Sequence, residues 1–305
     1  MIARQNENHK HAYLIMAHKN SYVLEKLLQL LDYEDNDIYI HVDAKCTNFN
    51  WEKYRNLIQR GQLFGTSKQI NVMWGEFTQI EAELLLLRDA YSHGEYQYYH
   101  LLSGQDLPLK SQQKIHDFFD EHDGQAFVTS HLVNKKIDRI LYERASVKRI
   151  FVQRHNHKLF LRYLQGLCDR IYLIFQEKVL QRDYVQSKGI KLAFGANWFS
   201  LPEIAVKCIL DNQQKIRYYF KYSVCADELF VQSILKECGI KVKDNNLRLI
   251  DWKRGSGAHP YVWRIDDYEQ LISSDELFAR KFDENVDYEI INKAAEYVSN
   301  SVSTQ

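Results

Sequence analysis

The adjacent acids Asp227 and Glu228 open an amphipathic segment, DELFVQSIL, that is predicted to be a helix. A carboxylate that faces a substrate cleft from the start of a helix can remove the proton of a hydroxyl nucleophile. Acidic side chains are also common in a first helical turn simply because they interact favourably with the helix dipole. These two residues alone therefore leave a catalytic and a purely structural interpretation open.

Basic side chains are concentrated in two stretches. Arg280 and Lys281 lie in LFARKFD, at the end of a helix predicted for Tyr268–Phe282, where cations are expected in any case. The stretch Val133–Arg154 is rich in basic residues and has no clear period, which predicts a long excursion or lid with a solvated face. Its cations include Lys135, Lys136, Arg139, Arg144, Lys148 and Arg149.

No standard motif for a phosphate, a nucleophile or a metal is present, because the sequence lacks GxGxxG, Walker A, GxSxG and HExxH. The one DxD string, Asp35-Asn36-Asp37, precedes a predicted strand. Magnesium sites instead bring carboxylates together at a strand end or use substrate phosphates. We therefore expect a polar turn at Asp35-Asn36-Asp37 and no metal cofactor.

Charge and cysteine content limit the class of protein. The 305 residues carry 40 Lys and Arg against 40 Asp and Glu, so no general nucleic-acid-binding surface is expected. The five cysteines show no CxxC or Cys/His cluster, which argues against a disulfide framework and a zinc site. The N-terminal sequence MIARQNENHKHAYLIM has no signal-like apolar region, and no run of about 18 apolar residues occurs. The expectation is a cytoplasmic protein in a reducing environment.

Strands alternate with helices along the chain, which predicts an α/β fold with a mostly parallel sheet. Apolar runs predict strands at Tyr13–Ala17, Ile38–Val42, Tyr96–Leu102, Ala126–Ser130, Leu192–Ser200 and Leu247–Asp251. Helical periodicity predicts helices after an Asn20 cap and at Thr78–Ala90, Ser111–Glu121, Leu159–Leu180, Pro202–Leu210 and Asp227–Leu235. Ligands bind beyond the carboxyl ends of such strands. The polar residues expected on that rim are His18, Asp43, Ser103, Gln105, Asp106 and Asp251.

Collinear blocks of the sequence resemble the core-2/I-branching β-1,6-N-acetylglucosaminyltransferase family, which also includes the protein xylosyltransferases. The most specific block is YHLLSGQDLPLKS (Tyr99–Ser111), which is similar to the family's LSGQDyPLKt segment. The other blocks follow in the family's order: AYLIMAHKN, IYIHVDAK, VMWGEFTQIEAELLLLRDA, GANWFSLP, ADELFVQSIL, IDWKRG, HPYVWR and LFARKFD. Together they extend from Ala12 to Asp287.

The resemblance implies a GT-A-like α/β sandwich, a nucleotide-sugar donor, inversion at the anomeric carbon and no requirement for a divalent metal. The catalytic base of the family corresponds to Glu228, with Asp227 beside it to orient it or to contact the sugar. One of the family's pyrophosphate-binding cations corresponds to Lys281. The remaining candidates for contacting the donor phosphates are Arg254, His259, Arg264 and Arg280.

Further donor and acceptor residues follow from the positions of the matched blocks. Asp43 and His18, at the ends of the first two strands, are expected near the ribose and the base of the nucleotide. Candidate sugar and acceptor contacts are Trp74, Trp198, Ser103, Gln105, Asp106, Lys135, Arg139 and Arg144. A tight turn is the alternative interpretation for SGQDLP. Core packing is the alternative for each tryptophan, including Trp252 and Trp263.

These observations predict one GT-A-like domain over 1–305, a mixed and mostly parallel sheet flanked by helices. A donor-binding half is expected at 11–130, a helical excursion at 131–190, and a catalytic and pyrophosphate-binding half at 191–290. The expected partners are a nucleotide-sugar donor and a glycan or lipid-linked glycan acceptor. The expected reaction is metal-independent, inverting transfer, in the first instance of GlcNAc from UDP-GlcNAc in β-1,6 branching, during synthesis of a bacterial surface polysaccharide.

Other functions remain open at this stage. Xylose or galactose transfer on the same scaffold is one alternative, and a carbohydrate-binding protein without catalysis is another, although binding alone needs no base. A glycoside hydrolase is disfavoured because it needs two carboxylates that face each other across the bond. Adjacent residues on a helix instead point about 100° apart.

The predicted helix Leu159–Leu180 combines Arg162, Arg170 and Lys178 with an aromatic and leucine face. Packing in a core or in a dimer is the default interpretation of such a face. Peripheral attachment to an anionic membrane, near a lipid-linked acceptor, is the alternative.

Overall fold

The fold is built on a mostly parallel sheet in the computed structural model, which describes residues 9–149, 159–257 and 259–301. Its strands are β1 (His11–Ala17), β2 (Asn36–Val42), β3 (Gln62–Gly65), β4 (Tyr98–Ser103), β5 (Asp106–Pro108), β6 (Ala126–Val128), β7 (His131–Leu132), β8 (Ala193–Phe194), β9 (Phe199–Pro202), β10 (Val242–Lys243), β11 (Arg248–Ile250) and β12 (Phe278–Arg280). A seven-stranded sheet has the order β10-β6-β9-β4-β1-β2-β3. Within it, β9 runs antiparallel to both neighbours, and the other pairings are parallel.

Helices cover this sheet. They are α1 (Tyr22–Leu31), α2 (Trp51–Arg55), α3 (Phe77–His93), α4 (Gln112–Glu121), α5 (Arg139–Ser146), α6 (Leu159–Ile174), α7 (Tyr184–Ser187), α8 (Glu203–Asp211), α9 (Gln213–Phe220), α10 (Phe230–Glu237), α11 (Tyr268–Ile272) and α12 (Tyr288–Asn300). A π-helical turn, Phe175–Val179, continues α6, and 3₁₀ turns occupy Ala226–Glu228 and Ile265–Asp267. Within the described ranges, no helix has the length and hydropathy needed to cross a bilayer.

Apolar side chains lie on both faces of the sheet. In β1, Ala12 and Leu14 pack with side chains of α3, α8 and α10, whereas Tyr13 and Ile15 pack with side chains of α1, α4 and α12. Strands buried on both faces read as continuous apolar runs rather than alternating ones, which is why their positions were predictable. The predicted class, a mixed and mostly parallel sheet flanked by helices, is confirmed.

The parallel strands β1, β2 and β4 end at the same edge of the sheet. Backbone bonds join these ends, since Asp43 N–H donates to Ala17 O at 2.9 Å and Gly104 N–H donates to Met16 O at 3.0 Å. The loops that follow therefore start side by side. This edge carries the polar residues His18, Asp43 and Ser103.

The helix predicted over Tyr268–Phe282 is wrong. Helix α11 ends at Ile272, where the Ser273 hydroxyl donates to the backbone O of Glu269. The chain then extends into β12, which pairs in parallel with β11 and antiparallel with β5 in the small sheet β11-β12-β5. Phe278 and Ala279 are fully buried there, so tertiary packing overrides the helical period. Arg280 is thus presented by a strand, and the helix-dipole explanation for its position no longer applies.

The helix predicted from Asp227 begins later. Asp227 and Glu228 lie in the 3₁₀ turn Ala226–Glu228, which follows Cys225 in the left-handed region (φ 46°). Leu229, with φ −123°, separates this turn from α10. The two acids are therefore not in the first turn of α10, and its dipole does not explain them.

Smaller predictions also need correction. Ser21, not Asn20, caps α1, because its hydroxyl accepts from Leu24 N–H at 3.1 Å. The run Leu192–Ser200 forms two strands, β8 and β9, rather than one. The excursion Val133–Arg154 contains the regular helix α5, and its residues 150–154 lie outside the described ranges.

The expectations for the DxD string and for the cysteines are also corrected. Asn36 and Asp37 are buried inside β2, where Asp37 accepts from the Tyr96 hydroxyl at 2.6 Å, so only Asp35 lies in a turn. Cys208 and Cys238 form a disulfide between the ends of α8 and α10. Two cysteines 30 residues apart carry no spacing signal, and the packing of the two helices brings them together.

A cluster of buried histidines lies between β1, β4 and α4, and it predicts acid sensitivity. His11 stacks on His116 at 3.8 Å between ring centroids, and its Nδ1 lies 3.1 Å from His100 Nε2. Burial, reinforced by the neighbouring histidines, holds the pKa values of His11 and His100 well below the usual range, and burial also lowers the pKa of His116. Below pH 6.5 these histidines bind protons in the unfolded chain but stay neutral in the folded cluster. Folding stability is therefore lost as the pH falls.

We expect each of these histidines to contribute a loss approaching about 1.4 kcal/mol per pH unit below its unfolded pKa. The buried acids Asp227 and Glu83 have raised pKa values, so their contribution to stability increases as the pH falls. The test therefore compares wild type with a histidine variant. Urea denaturation of wild type and His116→Gln between pH 7.5 and pH 5.0 should show a shallower loss in the variant. Parallel curves for the two proteins would contradict this account.

Candidate active site

A cavity of about 490 Å³ lies at the edge of the sheet where β1, β2 and β4 end. Loops and turns from distant parts of the chain close it, including the 3₁₀ turn Ala226–Glu228 and the residues after β12. The predicted site residues that line it are His18, Asp43, Trp74, Ser103, Gln105, Arg144, Trp198, Asp227, Glu228, His259, Arg280 and Lys281. The structure therefore brings most of the predicted donor and catalytic residues to one place.

Arg264, a candidate phosphate contact, and Asp251, an expected rim residue, do not line this cavity, and neither do four other predicted residues. Arg254 bonds to Asp251 and Asp267, both at 2.6 Å, and these contacts hold it in the loop after β11. Lys135 pairs with Asp183 at 2.7 Å and Arg139 with Glu143 at 2.6 Å, because both belong to the outer side of the excursion. The fourth, Asp106, is fully buried beneath the cavity and acts through its neighbours.

Glu228 lies partly exposed at the wall of the cavity, where the guanidinium of Arg144 contacts it. Arg144 Nη1 is 2.5 Å from Glu228 Oε2, and the same guanidinium stacks over the ring of Phe194. The backbone of the acid is fixed as well, since Gly195 N–H donates to Glu228 O at 3.0 Å. The result is an oriented, solvent-accessible carboxylate with one cationic partner.

Asp227 is nearly buried behind Glu228. The Gln79 amide donates to Asp227 Oδ2 at 2.8 Å. Burial, with a smaller contribution from the charge of Glu228, raises the pKa of Asp227 to about 7. Burial and the charge of Asp227 also raise the pKa of Glu83, on α3, well above its usual range. Negative charge is therefore disfavoured behind Glu228, and of these acids Glu228 has the carboxylate that is exposed to the cavity.

The same cavity carries the cations Arg280 and Lys281. Arg280 is already paired: Nη1 lies 2.7 Å from Asp106 Oδ1 and donates to the Ser103 hydroxyl, and the guanidinium stacks 4.3 Å from the Trp198 ring. Asp106 is in turn held by Ser103 N–H at 2.8 Å. The SGQD segment thus serves as an anchor for Arg280, in agreement with both interpretations of that turn.

Lys281 differs from Arg280 because the described residues offer its ammonium group no hydrogen-bonding partner. Burial, reinforced by Arg280 and Lys19, lowers its pKa. The surrounding side chains therefore compensate its charge poorly. A bound anion would relieve that cost, which makes Lys281 the group best suited to a phosphate.

His18 and Asp43 follow the ends of β1 and β2. Asp43 is buried, and its carboxylate accepts from Lys45 N–H at 2.9 Å. Burial, Lys19 and Lys281 lower the pKa of His18, so this ring is neutral near pH 7 and can pack against a base or a ribose. Across residues 9–149, 159–257 and 259–301, no three His, Cys, Asp or Glu side chains converge as a metal site.

Three exposed or half-buried tryptophans border the cavity. Trp74 and Trp252 are 59% and 52% exposed, and Trp198 lies against Arg280. Only Trp263 follows the default expectation of core packing, since it is fully buried. Sequence analysis missed Trp252 as a site residue, and it also missed His41, Val72, Gln79, Asn197, Cys225 and Pro260. The signal for Trp252 was its position directly after the strand that ends at Ile250.

A second groove of about 580 Å³ also has Glu228 in its lining. It shares Arg144, Glu228 and Trp252 with the first cavity, so the two spaces meet at this carboxylate. Its other walls come from β7, β8 and the loop before β11, with the rings of His131 and Phe194 exposed to it. Glu228 therefore stands at a junction between two binding spaces.

Gly195, at this junction, has no room for a side chain. A Cβ at this position would lie 1.7 Å from Thr129 O, a backbone atom. We expect Gly195→Ala to displace either β6 or the Glu228 backbone, with a loss of stability of about 2–4 kcal/mol by overpacking and strain. Urea denaturation would measure it. Gly94→Ala is the control, because its backbone is extended (φ −165°) and an added Cβ would meet no atom closer than 3.5 Å; equal stability losses in the two variants would contradict the steric explanation.

Comparison with known proteins places the chain in a family. A family model described as Core-2/I-Branching enzyme matches residues 11–272. A xylosyltransferase of Ciona intestinalis is 20% identical over 302 residues, which cover 92% of this chain and 33% of that protein. Xylosyltransferase 1 of Mus musculus is 21% identical over 313 residues, which cover 94% and 30%. The chain thus spans about a third of the length of these curated relatives.

Among solved structures, the apo form of mouse xyloside xylosyltransferase 1 aligns with 88% of this chain and 97% of its own, at 8% identity and a TM-score of 0.41. The match to the family model establishes the family of this chain, because the matched residues extend from β1 to α11 and make up most of the sequence. The protein belongs to the Core-2/I-Branching enzyme family of glycosyltransferases.

Proposed function

We propose that this protein transfers a sugar from a nucleotide-sugar donor to a glycan hydroxyl, with inversion at the anomeric carbon and without a divalent cation. The observation that supports this most strongly is the position of Glu228. It lines both the cavity that also carries Lys281 and a second groove that is lined by aromatic rings. In a single displacement the nucleophile and the leaving group lie on opposite sides of the anomeric carbon, and the base lies next to the nucleophile.

In the proposed reaction, an acceptor hydroxyl in the groove attacks the anomeric carbon of the donor sugar. Glu228 accepts the hydroxyl proton as the new carbon–oxygen bond forms. The bond between the anomeric carbon and the diphosphate oxygen breaks on the opposite side. Arg144 keeps the Glu228 carboxylate oriented before the substrates bind and must give up part of this contact when the hydroxyl arrives.

The nucleoside diphosphate leaves with growing negative charge. Fixed cations aimed at that charge stabilise the transition state at no reorganisation cost. Lys281 is the cation for this role, and Arg280 supports it from its fixed position on Asp106. His18 and Asp43 are proposed to contact the nucleoside. His259 lines the same cavity and is the additional candidate for a phosphate contact.

For the donor sugar we propose GlcNAc from UDP-GlcNAc, in β-1,6 branching, with xylose from UDP-xylose as the second candidate. The names of the curated relatives support xylose, and the family description supports branching. Trp74, Trp198 and Trp252 offer flat apolar surfaces that suit a sugar ring of either kind. The proposed acceptor is a glycan of a bacterial surface polysaccharide.

Metal independence has a direct test. We expect the initial rate of sugar transfer in excess EDTA to stay within about twofold of the rate without chelator, because fixed cations supply the stabilisation that a metal supplies elsewhere. The measurement is the release of UDP from each UDP-sugar in the presence of oligosaccharide acceptors. A complete loss of transfer in EDTA that Mn²⁺ restores would contradict the role given to Lys281.

A further inference from the structure

Helix α6 exposes a row of apolar side chains to solvent, whereas an ordinary surface helix exposes its polar side. Its side chains at Phe160, Tyr163, Leu164, Leu167, Ile171 and Ile174 are between 43% and 74% exposed. With about 3.6 residues per turn they occupy one arc of about 100°, which we call the α6 stripe. An ordinary amphipathic helix buries such a stripe against the core.

The side of α6 that faces the protein buries the polar side chains Asp169 and Gln176, next to the half-buried Leu161, Tyr172 and Leu173. Asp169 is buried and pairs with Arg149 at 3.5 Å. Gln176, fully buried in the π-helical turn, exchanges two hydrogen bonds with the backbone of Lys148, at 2.8 and 3.0 Å. These contacts fix the rotation of the helix, so the outward position of the α6 stripe follows from the packing of α6.

The apolar surface continues beyond the stripe. Phe175 and Val179 of the π-helical turn are 44% and 65% exposed. Ile137 and Ile140, at the start of α5, are 81% and 79% exposed, and Arg139 between them lies within electrostatic range of Glu177. Apolar surface of this extent on one side of a protein marks an interaction site.

Charge identifies the partner. From Phe160 to Arg182 the exposed ionised side chains are four cations, Arg162, Arg170, Lys178 and Arg182, and one acid, Glu177. The whole chain carries no net charge, so this excess is local. Two copies of the chain that met through the stripe would bring like charges together, which is unfavourable. An anionic surface with an apolar interior matches both the stripe and its cations.

We propose that the α6 stripe lies in the interface of an anionic lipid bilayer and holds the protein on the membrane surface. Phe160, Tyr163, Leu164, Leu167 and Ile171 would enter the boundary between headgroups and acyl chains, and the cations would contact lipid phosphates. The helix is 16 residues long, about 24 Å, and would lie along the surface rather than cross it. This inference rests on α6 and does not depend on the proposed reaction.

The test is flotation of the full-length chain with vesicles. One set contains phosphatidylcholine with about one third phosphatidylglycerol, and the other contains phosphatidylcholine alone. We expect wild type to float with the anionic vesicles and to bind the neutral ones much more weakly. Leu167→Gln/Ile171→Gln and Arg170→Glu/Lys178→Glu should each weaken binding to anionic vesicles by at least about tenfold. Ile204→Gln replaces an isoleucine that is 66% exposed on α8, outside the stripe, and should bind like wild type.

The substituted side chains are exposed, so the variants are expected to fold. Far-ultraviolet circular dichroism spectra that match the wild-type spectrum are the check on folding. The proposal is overturned if wild type does not float with anionic vesicles, or if the Leu167/Ile171 variant floats equally well. Sedimentation equilibrium without lipid tests whether the stripe instead joins two copies of the chain. A wild-type dimer that the Leu167/Ile171 variant disperses would assign the stripe to a second copy of the chain and would also overturn the proposal.

Discussion

Glu228→Gln is expected to lower the turnover number by about 10³-fold, within the range typical of a lost general base, while UDP still binds. The amide keeps the size of the side chain and its contact with Arg144 but cannot accept the proton of the acceptor hydroxyl. In the proposed function UDP contacts Lys281 rather than Glu228, so its affinity should change by less than about threefold. Initial rates of transfer and calorimetric titration with UDP measure the two quantities.

The matched control for this variant is Glu121→Gln, an exposed acid at the end of α4. It should transfer at the wild-type rate. If Glu228→Gln also turns over at a rate within about twofold of wild type, Glu228 is not the base. Asp227 is not expected to replace it, because Asp227 is nearly buried and its Oδ2 already accepts a hydrogen bond from the Gln79 amide.

Lys281→Met is expected to lower kcat/KM by about 10²–10³-fold and to weaken UDP binding as well. Its ammonium group is half-buried and the surrounding side chains compensate its charge poorly, so a diphosphate gains a charge-assisted contact when it binds. The same contact strengthens as the diphosphate takes up charge on leaving. Lys281→Arg, which keeps the charge but changes the geometry, should recover part of the loss.

Lys253→Met is the control for removing a positive charge near this region. Lys253 is exposed in the loop after β11 and does not line the cavity. It should bind UDP with wild-type affinity. Wild-type UDP affinity in Lys281→Met would contradict the role of Lys281 and would direct attention to His259 and Arg280.

The sequence alone predicted the elements that are buried on both faces, because their apolar runs are unambiguous. Strands β1, β2 and β4 were found within a few residues, and so were the polar residues at their carboxyl ends. Elements whose identity depends on distant contacts were not found. The segment LFARKFD has a helical period, yet β12 exists because β11 and β5 pair with it from both sides.

The site was predictable where residue type and position after a strand agree, as for Asp43 and Ser103. Gln79 was missed because it lies within an ordinary amphipathic helix, α3, and only the fold brings its amide to Asp227. Arg254 was assigned wrongly because the sequence does not reveal that Asp251 and Asp267 hold it. Asp106 was predicted as a site residue, but the sequence does not reveal that it acts by holding Arg280.

Calorimetric titration of the wild-type protein with UDP, UDP-GlcNAc, UDP-xylose, UDP-galactose and GDP, all in excess EDTA, tests the central claim most directly. The account predicts saturable, metal-free binding of UDP and of at least one UDP-sugar, and weaker binding in Lys281→Met. Failure of all five ligands to bind in EDTA would contradict it, and so would binding that appears only after Mn²⁺ is added.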